Sequence, residues 1–514
     1  MGNWLRGLIL FTFVGGVLLG SLTDQSVDSP GLESYWAQTR LSKQDLFQFL
    51  DDRYCHSSDR YFLACVNALQ QVASRHGGFF DPTKGFVRRE GLANLEMNEK
   101  ELLSPWNEIL PKRLGRTSLV EFQSSWEFLE KEVIEPRQRE MMVGIALNGF
   151  LSVFRDPHTY LIPVDYYRQV VASSETRTSS YGFILTRVGS SFYIRKVITD
   201  SPAEFVGLKR GDRVVAINDW KLRQLTLGGL NDKIKNDTSK TLEMTVVNRF
   251  GEKSQLTLRK AHQALSTVHL KYREGLRKTA LLTLDRFARR TCEKVRLALQ
   301  DVRRQGVRNL ILDLRDNPGG QMDETGCVAS LFTGPHKKIF TVQYSDDRSR
   351  SEPYIGEEEQ IFQGRIVVLI NRGTASAAEI LAGVLREYNR AILVGERSFG
   401  KGSFQEGDIW KKNAKLALFE TKGFYFLPSG FSPQKVGLVP DLELGTPNSG
   451  SREEDQYWNP LQIQPKALVR PLRSGLSFES CLGQGEAASQ NDDPELSSAQ
   501  RALNCWGVAQ ASGG

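Results

Sequence analysis

Ser376 is the residue whose setting most suggests covalent chemistry. It lies among small residues, 373–378, just before an apolar helical pattern at residues 380–385. Small neighbours leave room for a substrate backbone, and the unpaired N–H groups and positive dipole end of a helix stabilise an anionic tetrahedral intermediate. Because many serines in this setting only cap the helix, a nucleophilic role for Ser376 requires a base nearby.

Lys401 is the candidate base. It stands between Gly400 and Gly402 in a loop that follows the predicted strand 392–395. Flanking glycines let the backbone pack closely and can bury the amine, and burial would lower the lysine pKa toward that of a general base. Gln405 follows in the same loop and can orient the amine, as a third residue does in other nucleophile–base pairs. A phosphate-binding loop is excluded because the pattern Gly-x-x-x-x-Gly-Lys-Ser/Thr is absent.

A histidine base is disfavoured by position. A Ser-His-Asp triad needs a histidine, and neither loop contains one. His158 alone belongs to a distinctive motif, residues 156–159, where Pro157 ends a helical pattern and a turn beneath the site is expected. The histidines of the chain are His56, His76, His158, His262, His269 and His336. We therefore favour a Ser/Lys pair.

A third motif offers backbone donors. Residues 310–314 predict a buried strand that runs into the turn Pro318-Gly319-Gly320. Such a turn can present backbone N–H groups at the carboxyl end of the strand, and together with the N–H of Ala377 it would complete an oxyanion hole. Taken alone, the motif would predict only an ordinary tight turn.

The length and composition of the chain indicate several globular units. Its 514 residues correspond to about three domains of average size. Apolar residues make up 40% and charged residues 25%, which is typical of globular proteins and excludes a chain that is disordered throughout. The net charge of +7 is not gathered into a long basic block, so nucleic acid is a disfavoured ligand.

The hydrophobic period changes along the chain. Residues 42–153 are mostly helical in pattern, which predicts an all-helical leader domain. Residues 278–444 alternate strands with helices, the first helix at 289–304, which predicts an α/β unit with a buried sheet. The predicted strands of this unit are 279–284, 310–314, 366–370 and 391–395. From about residue 446 the composition turns polar, which predicts a tail.

Residues 179–260 are β-rich, and the order of their elements resembles a PDZ domain. In PDZ domains a glycine-containing turn offers N–H groups to the terminal carboxylate of a peptide, which then adds a strand to the sheet. The peptide would face a helix expected near residues 226–236. The residues that the resemblance places at the peptide are Tyr181, Gly182, Phe183 and Ile184. The alternative is another small β-barrel.

The first 22 residues predict a targeting segment, because Arg6 precedes an uncharged, strongly apolar run at residues 7–22. The run is short for a membrane span and lacks a clear cleavage site, so a cleaved signal peptide and a retained anchor both stay open. Export would permit disulfide bonds.

The six cysteines lack the C-x-x-C spacing of metal and redox sites. Many pairings are open, and closeness in the sequence makes two pairs the first candidates. These pairs are Cys55 with Cys65 and Cys481 with Cys505. Cys292 lies in a helical pattern and Cys327 in an apolar stretch, where buried thiols without a disulfide are the simplest expectation.

The three loops, in this order and after a PDZ-like segment, resemble those of the C-terminal processing proteases, also called tail-specific proteases. The resemblance extends over about residues 141–444. It rests on motifs at residues 156–159, 313–320, 373–380, 399–402, 427–430 and 437–441. It implies that Ser376 is the nucleophile, Lys401 the general base and Gln405 its orienting partner. It further implies a supporting role for the acidic Glu387 and no requirement for a metal or an organic cofactor.

The resemblance also implies the architecture. We expect a multidomain α+β protein in which a small β-rich PDZ domain is inserted before an α/β protease core of the crotonase-like (ββα) type. Two positions depart from the family pattern, since Ala378 replaces a frequent Ser and Asp316 a frequent Asn. The expected units are a signal peptide or anchor at 1–25, a helical domain leading into the core at 26–165, the PDZ domain at 166–262, the protease core at 263–446 and a polar tail at 447–514.

These features predict an exported serine endopeptidase that trims or degrades proteins with apolar C-terminal tails. The expected location is the bacterial periplasm, or the periplasmic face of the inner membrane, with membrane contact only through the N-terminal segment. Bacterial members suggest a helical-repeat lipoprotein adaptor and a homo-oligomer as partners. The alternatives are a catalytically latent PDZ scaffold, a protease that needs its adaptor for activity, and an acyl-thioester-binding enzyme of a related α/β fold.

Overall fold

The computed structural model describes residues 35–36, 38–50, 59–76, 78–81, 85–88, 122–154, 158–168, 177–225, 227–237, 239–264, 266–273, 278–345, 350–444 and 493–511. The predicted targeting segment, Cys55, Cys481 and most of the predicted tail lie outside these ranges. Within the ranges, no helix combines the length and the apolar character that a membrane span requires.

Helices dominate the N-terminal unit. They are α1 (Lys43–Phe49), α2 (Asp59–Arg75), α3 (Phe122–Glu132) and α4 (Arg139–Phe154). Helix α2 packs against α4, and Leu69, Trp126 and Ala146 are buried between the helices. The unit is therefore held by an apolar core of its own.

The prediction of an all-helical leader was wrong in one place. Strands β1 (Gly78–Asp81) and β2 (Gly85–Arg88) form an antiparallel hairpin in which Phe80 pairs with Phe86. Short aromatic runs that begin at glycines favour strands over helices. After α4, strand β3 (Tyr160–Pro163) leaves the helical unit and pairs with a strand of the core.

The next unit is a five-stranded antiparallel sheet. The chain enters it through β4 (Arg177–Ser180). Its strands, in spatial order, are β5 (Phe183–Val188), β6 (Ser191–Val197), β7 (Arg213–Ile217), β8 (Thr241–Val247) and β9 (Lys253–Arg259). Alternate residues of β8, namely Leu242, Met244 and Val246, are buried, as the period of two requires. Helix α5 (Leu227–Asn236) packs beside β5 at the sheet edge and confirms the helix expected there. Strand β10 (Ala261–Ala264) pairs with β4, so the chain enters and leaves side by side.

The core begins at residue 268 and contains the predicted strands, although further strands interrupt the predicted alternation with helices. In chain order its elements are β11 (Val268–Arg273), β12 (Thr279–Leu284), α6 (Thr291–Arg304), β13 (Asn309–Asp313), α7 (Met322–Thr333), β14 (Lys338–Tyr344), β15 (Ser351–Ile355), β16 (Arg365–Ile370), α8 (Ala377–Glu387), β17 (Ala391–Gly395), β18 (Ser403–Ile409), β19 (Leu416–Phe426), β20 (Leu442–Glu443) and α9 (Pro494–Ala511).

A six-stranded sheet, ordered β11-β12-β13-β16-β17-β20, forms the centre of this core and is parallel except at β11. Leu310 and Leu312 of β13 pack with residues of α6, α7 and α8, whereas Ile311 packs with residues of α9. Both faces of the strand are covered, which is why its sequence is a continuous apolar run. The chain is thus a multidomain protein of mixed α/β structure.

A second sheet, ordered β15-β14-β19-β18 with β3 beside β19, packs next to the first. Strand β17 belongs to the first sheet and β18 to the second. The loop of residues 396–402, which contains Lys401, therefore crosses from one sheet to the other.

The polar tail predicted for residues 447–514 contains an element of the core. Helix α9 packs Ala499, Ala502 and Leu503 against the sheet face formed by residues such as Ile311 and Val367. These apolar residues lie three and four positions apart, so they form one helical face. Because the rest of the segment is polar, its overall composition does not predict this apolar face.

The expectation of free thiols at Cys292 and Cys327 was also wrong. The two residues form a disulfide bond that joins α6 to α7. Cys65 and Cys505 are disulfide-bonded as well, and their partners lie outside the described residues.

Candidate active site

Ser376 is buried and occupies a strained position directly before α8. Its φ of 55° and ψ of −121° lie in a region that residues with a Cβ rarely adopt, and such strain persists only where neighbours enforce it. Here the enforcing contacts are hydrogen bonds from Ala375 N to Asn317 O at 2.9 Å and from Thr374 Oγ1 to Leu314 O at 2.8 Å. The serine loop is thus fixed to the segment that follows β13.

The amine of Lys401 is buried among oxygen acceptors, and the residue is only 4% exposed. Its Nζ donates to Gln405 Oε1 at 2.8 Å, to Ser403 O at 3.1 Å and to Ser403 Oγ at 3.2 Å. Gln405 Nε2 donates in turn to Thr421 Oγ1 at 3.1 Å. The structure therefore places Gln405 directly on the amine and fixes the direction of the lysine side chain.

Glu379, to which the sequence analysis assigned no role, joins the serine loop to the lysine loop. Its Oε2 accepts from Ser376 N at 2.8 Å and from Lys401 N at 2.9 Å. Its Oε1 accepts from Ser398 Oγ at 2.5 Å and from Gly400 N at 2.9 Å. Burial raises the pKa of Glu379 to about 8, although these four hydrogen bonds act in the opposite direction.

Tyr425, on β19, contacts backbone carbonyl groups of the same two loops. Its hydroxyl lies 2.8 Å from Lys401 O and 3.1 Å from Ser376 O. Its backbone N–H donates to Gly402 O at 2.9 Å. The side chain is fully buried, so the hydroxyl is held against the two carbonyl groups.

The glycine turn predicted as an oxyanion site lies against Ser376. Gly319 has a φ of +104°, and a Cβ on it would approach Ser376 Cβ and Ala377 N to 2.9 Å. Its N–H donates to Asn317 Oδ1 at 2.9 Å. Ala377 is the first residue of α8, so its N–H has no acceptor within the helix. Gly319 of the turn therefore lies against the nucleophile loop, whereas Gly320 lies against the backbone of Phe287.

Asp316, three residues before Gly319, receives charged partners from two other units. Arg195 of β6 and Arg210, which precedes β7, each donate to its carboxylate at 2.9 Å. Arg210 also approaches Glu495 of α9 at 3.6 Å. Burial alone would raise the pKa of Asp316, but the two guanidinium charges hold it well below its usual range. We call these four residues the Asp316 junction.

Glu387, the predicted supporting residue, contacts a different loop. Its carboxylate accepts from Ser429 N at 2.8 Å and from Ser429 Oγ at 2.7 Å, and burial raises the pKa of Glu387. It therefore holds the turn at residues 427–430, and among the described hydrogen bonds it has none with Ser376 or Lys401.

His158 is buried in the turn before β3. The next residue, Thr159, accepts a hydrogen bond at its Oγ1 from Thr421 N at 3.2 Å. Thr421 is also the residue that binds Gln405. The turn is thus linked to Gln405 through Thr421. It therefore lies next to the lysine site, near which the sequence analysis expected it.

The residues predicted to bind a peptide tail lie at the start of β5. Gly182 has a φ of +87°, and a Cβ on it would come within 2.1 Å of Ser201 Cβ, so only glycine fits. Phe183 and Ile184 follow in β5, the edge strand of its sheet, and Tyr181 is buried just before the turn. The sequence motif therefore lies at an edge where a further strand can pair.

Residues 278–444 match the model of Peptidase family S41. This segment of the chain belongs to peptidase family S41. The matched segment includes Ser376, Lys401, Gln405 and the Gly319 turn, and it excludes the five-stranded unit. The S41 match supports a serine peptidase, and the site above lies in the matched segment.

Curated relatives of this S41 chain include carboxy-terminal-processing proteases. The protein of that name from Bartonella bacilliformis is 28% identical over 335 residues, which cover 64% of this chain and 75% of the relative. The one from Synechocystis sp. is 27% identical over 385 residues, covering 74% and 88%. A solved photosystem II D1 C-terminal processing protease is 24% identical, with a TM-score of 0.42, and covers 68% of this chain and 93% of that one.

Two residues of this S41 site were missed at the level of sequence. Glu379 had a detectable signal, since Ser376-x-x-Glu379 is the spacing of a capping box, in which the glutamate accepts from the N–H of the capping residue. The hydrogen bonds of Glu379 to the lysine loop had no signal in the sequence, because they depend on how two sheets pack. Tyr425 is one of several aromatic residues in an alternating strand, and nothing in the pattern distinguishes it.

Proposed function

We propose that the chain is a serine endopeptidase in which Ser376 is the nucleophile and Lys401 the general base. The observation that carries this proposal is the buried amine of Lys401, directed by Gln405 and held in a loop that shares the carboxylate of Glu379 with Ser376. A base for a serine nucleophile needs a fixed direction and a site that excludes water.

The reaction would proceed in two steps. Neutral Lys401 Nζ takes the proton of Ser376 Oγ as the oxygen bonds to the scissile carbonyl carbon. The ammonium then returns that proton to the leaving amine, and an acyl-enzyme remains. Lys401 next takes a proton from water, which attacks the ester carbonyl. The ammonium then returns the proton to Ser376 Oγ as the C–O bond of the ester breaks, which releases the new carboxyl terminus and regenerates both residues.

Backbone N–H groups would stabilise the oxyanion in both steps. Ala377 supplies the first of them from the start of α8, where the helix dipole adds a favourable potential. Gly320 or Gly319 supplies the second, and Gly319 would do so by exchanging its bond to Asn317 Oδ1 for one to the substrate.

The five-stranded unit would act as a PDZ domain that captures apolar C-terminal tails. Three features support this role: the edge strand β5, the positive φ of Gly182 before it, and helix α5 alongside. A tail would pair with β5 while the turn at Gly182 receives its carboxylate. For the protease core, we propose the crotonase-like type that the family resemblance implies.

The Asp316 junction would connect tail capture to the core. Arg195 and Arg210 belong to the five-stranded unit, and their shared partner Asp316 lies three residues before Gly319. A shift of the unit on binding a tail would move these charges relative to the oxyanion turn. This arrangement supports a role for the five-stranded unit in gating the active site.

Export to an oxidising compartment, the periplasm or the periplasmic face of the inner membrane, is part of the proposal. The Cys292–Cys327 disulfide and the bonded Cys65 and Cys505 support it, because such bonds persist in oxidising environments. A helical-repeat lipoprotein adaptor and self-association are proposed partners, carried by the resemblance alone.

Cleavage of an unstructured protein with an apolar C-terminal tail tests the proposal. The full-length chain is compared with Ser376→Ala and Lys401→Ala over a range of pH. We expect both variants to be inactive, and activity of the unaltered chain to rise with pH as a lysine loses its proton. Full activity of Ser376→Ala would refute the mechanism.

A matched substrate separates tail capture from chemistry. The same unstructured protein with a charged C-terminal tail should be cleaved with a higher KM, since the apolar tail would no longer be held beside β5. Equal KM values for the two substrates would count against the PDZ role and would leave the Ser376 chemistry standing.

A further inference from the structure

Two buried side chains each contact both the nucleophile loop and the base loop. The carboxylate of Glu379 accepts from the backbone N–H groups of Ser376 and Lys401 at 2.8 and 2.9 Å. The hydroxyl of Tyr425 lies within hydrogen-bond distance of the backbone carbonyl groups of the same two residues, at 3.1 and 2.8 Å. In each loop, therefore, one backbone N–H group binds Glu379 and one backbone carbonyl group lies within hydrogen-bond distance of Tyr425.

We propose that Glu379 and Tyr425 are positioning residues that fix the separation of Ser376 and Lys401. Together we call them the clamp. This inference rests on the proposed function, because it assumes that these two residues react as nucleophile and base. A displacement of about 1 Å between reacting groups can reduce the rate about 100-fold, so a contact that spans both loops bears directly on the rate.

The contacts of Glu379 go beyond what helix capping needs. Capping alone would be satisfied by the bond to Ser376 N. The same carboxylate also binds Ser398 Oγ, Gly400 N and Lys401 N, which together cover the loop that carries the base. A carboxylate has about four acceptor positions, and here four donors use them, so the side chain spans two chain segments at once.

Tyr425 adds a second fixed point through a single hydroxyl proton. One O–H group can donate fully to one carbonyl or be shared between two, and both candidate acceptors belong to the proposed dyad residues. The ring is fully buried, and the backbone of Tyr425 is bonded to Gly402 O at 2.9 Å. The hydroxyl is therefore carried by a strand that is itself tied to the base loop.

The core offers a matched control for each clamp residue. Glu324 is the third residue of α7, as Glu379 is of α8, and it accepts from Arg290 N and Cys292 N at 2.7 Å each. Tyr388 OH donates to Lys338 O at 2.8 Å, the distance that separates Tyr425 OH from Lys401 O. These controls reproduce the chemistry of the contacts without touching the dyad.

The experiment compares Glu379→Gln with Glu324→Gln and Tyr425→Phe with Tyr388→Phe in the full-length chain. Reactive sites are first counted by exhaustive labelling with a fluorophosphonate, and kcat and KM for an unstructured protein with an apolar C-terminal tail are expressed per labelled site. We expect the clamp variants to lose about 10- to 100-fold in kcat per site with KM nearly unchanged, and the controls to stay within about twofold of the parent.

A purely structural role would lower the number of labelled sites and the stability while leaving kcat per site intact, and that result would overturn the inference. If Glu379→Gln fails to fold, Tyr425→Phe decides alone, because it removes one oxygen atom from a ring that stays in place. Ser376→Ala distinguishes the two levels of the argument. Its full activity would overturn the proposed function, whereas its inactivity beside a fully active Tyr425→Phe would overturn only the clamp.

Discussion

The clamp and the Asp316 junction both hold the candidate active site, but they do so with different chemistry. The clamp binds backbone groups of two loops within one core, through Glu379 and Tyr425, which are both fully buried. The junction joins side chains from separate units, and Arg210 in it keeps 26% of its side chain exposed. The clamp fixes backbone groups by hydrogen bonds, whereas the junction pairs charged side chains.

This difference indicates what each region can do. Hydrogen bonds to backbone groups in a dry interior set atomic positions and leave donors unsatisfied when they are lost. Ion pairs between side chains of separate units depend less on exact direction, and the junction's partly exposed Arg210 can be reached by water and salt, so its contact with Asp316 can change as the units shift. The clamp is suited to fixed geometry, and the junction to a contact that changes.

The largest effect is expected at the glycine turn between the two regions. Gly319→Ala would place a Cβ at 2.9 Å from Ser376 Cβ and Ala377 N, and we expect a loss of about 1000-fold in kcat/KM because the oxyanion donors are displaced. Gly251→Ala is the control, since its φ of +86° is similar but nothing lies within 4 Å of the added methyl group.

The control should cost about 1 kcal/mol in the free energy of unfolding and leave kcat/KM unchanged. Steady-state kinetics of the two variants provides the comparison. Equal kinetic losses in both would show that backbone strain, rather than the approach to Ser376, limits the turn.

A smaller effect, on stability alone, is expected from the disulfide that joins α6 to α7. Replacing Cys292 and Cys327 by Ser removes a bond between residues 35 positions apart, and the chain-entropy model gives a loss of about 4 kcal/mol in the free energy of unfolding. Denaturant unfolding measures it. Because the bond contacts neither the clamp nor the junction, kcat per labelled site should not change, and a fall would mean that activity follows general stability.

The junction should respond to Asp316→Asn with a loss of about 2 to 3 kcal/mol in the free energy of unfolding, since the buried charge that pairs with Arg195 and Arg210 disappears. The control is Glu293→Gln, which breaks the exposed pair with Arg290 and should leave the unfolding midpoint unchanged. A loss at Asp316 no greater than the loss at Glu293 would show that the junction contributes nothing to holding the units together.

The smallest effect is a pH dependence in the same variant. The pKa of Asp316 is lower in the folded chain than in the unfolded one, so its contribution to stability is complete above the ordinary aspartate value and is lost as the pH falls below it. The stability difference between the parent and Asp316→Asn should be constant from neutral pH to about pH 4 and should shrink in more acidic solution. A difference that grows on acidification would contradict the assignment of charge.

The sequence predicts local features of this protein well and contacts between distant segments poorly. The strand 279–284, the helix α6 and the meeting of Ser376 with the Gly319 turn follow from period and motif. The sequence does not reveal helix α9, because its short apolar face lies in a polar segment, or the hairpin β1–β2, because the surrounding pattern is helical.

The candidate site divides in the same way. Lys401 and Gln405 lie four residues apart, and their contact could be anticipated from that spacing and the flanking glycines. The bond between Glu379 and Lys401 and the meeting of Arg195 with Asp316 bring together residues that are remote in the sequence. Such contacts depend on the packing of sheets and units, which no local pattern encodes.

Covalent labelling of the nucleophile tests the central claim most directly. The full-length chain, Ser376→Ala and Lys401→Ala are treated with a fluorophosphonate, and the modified residue is located by mass spectrometry. The account predicts a single adduct on Ser376, no adduct in Ser376→Ala, and much slower labelling in Lys401→Ala because the base is missing. An adduct on another serine, or labelling of Ser376 at an unchanged rate without Lys401, would contradict it.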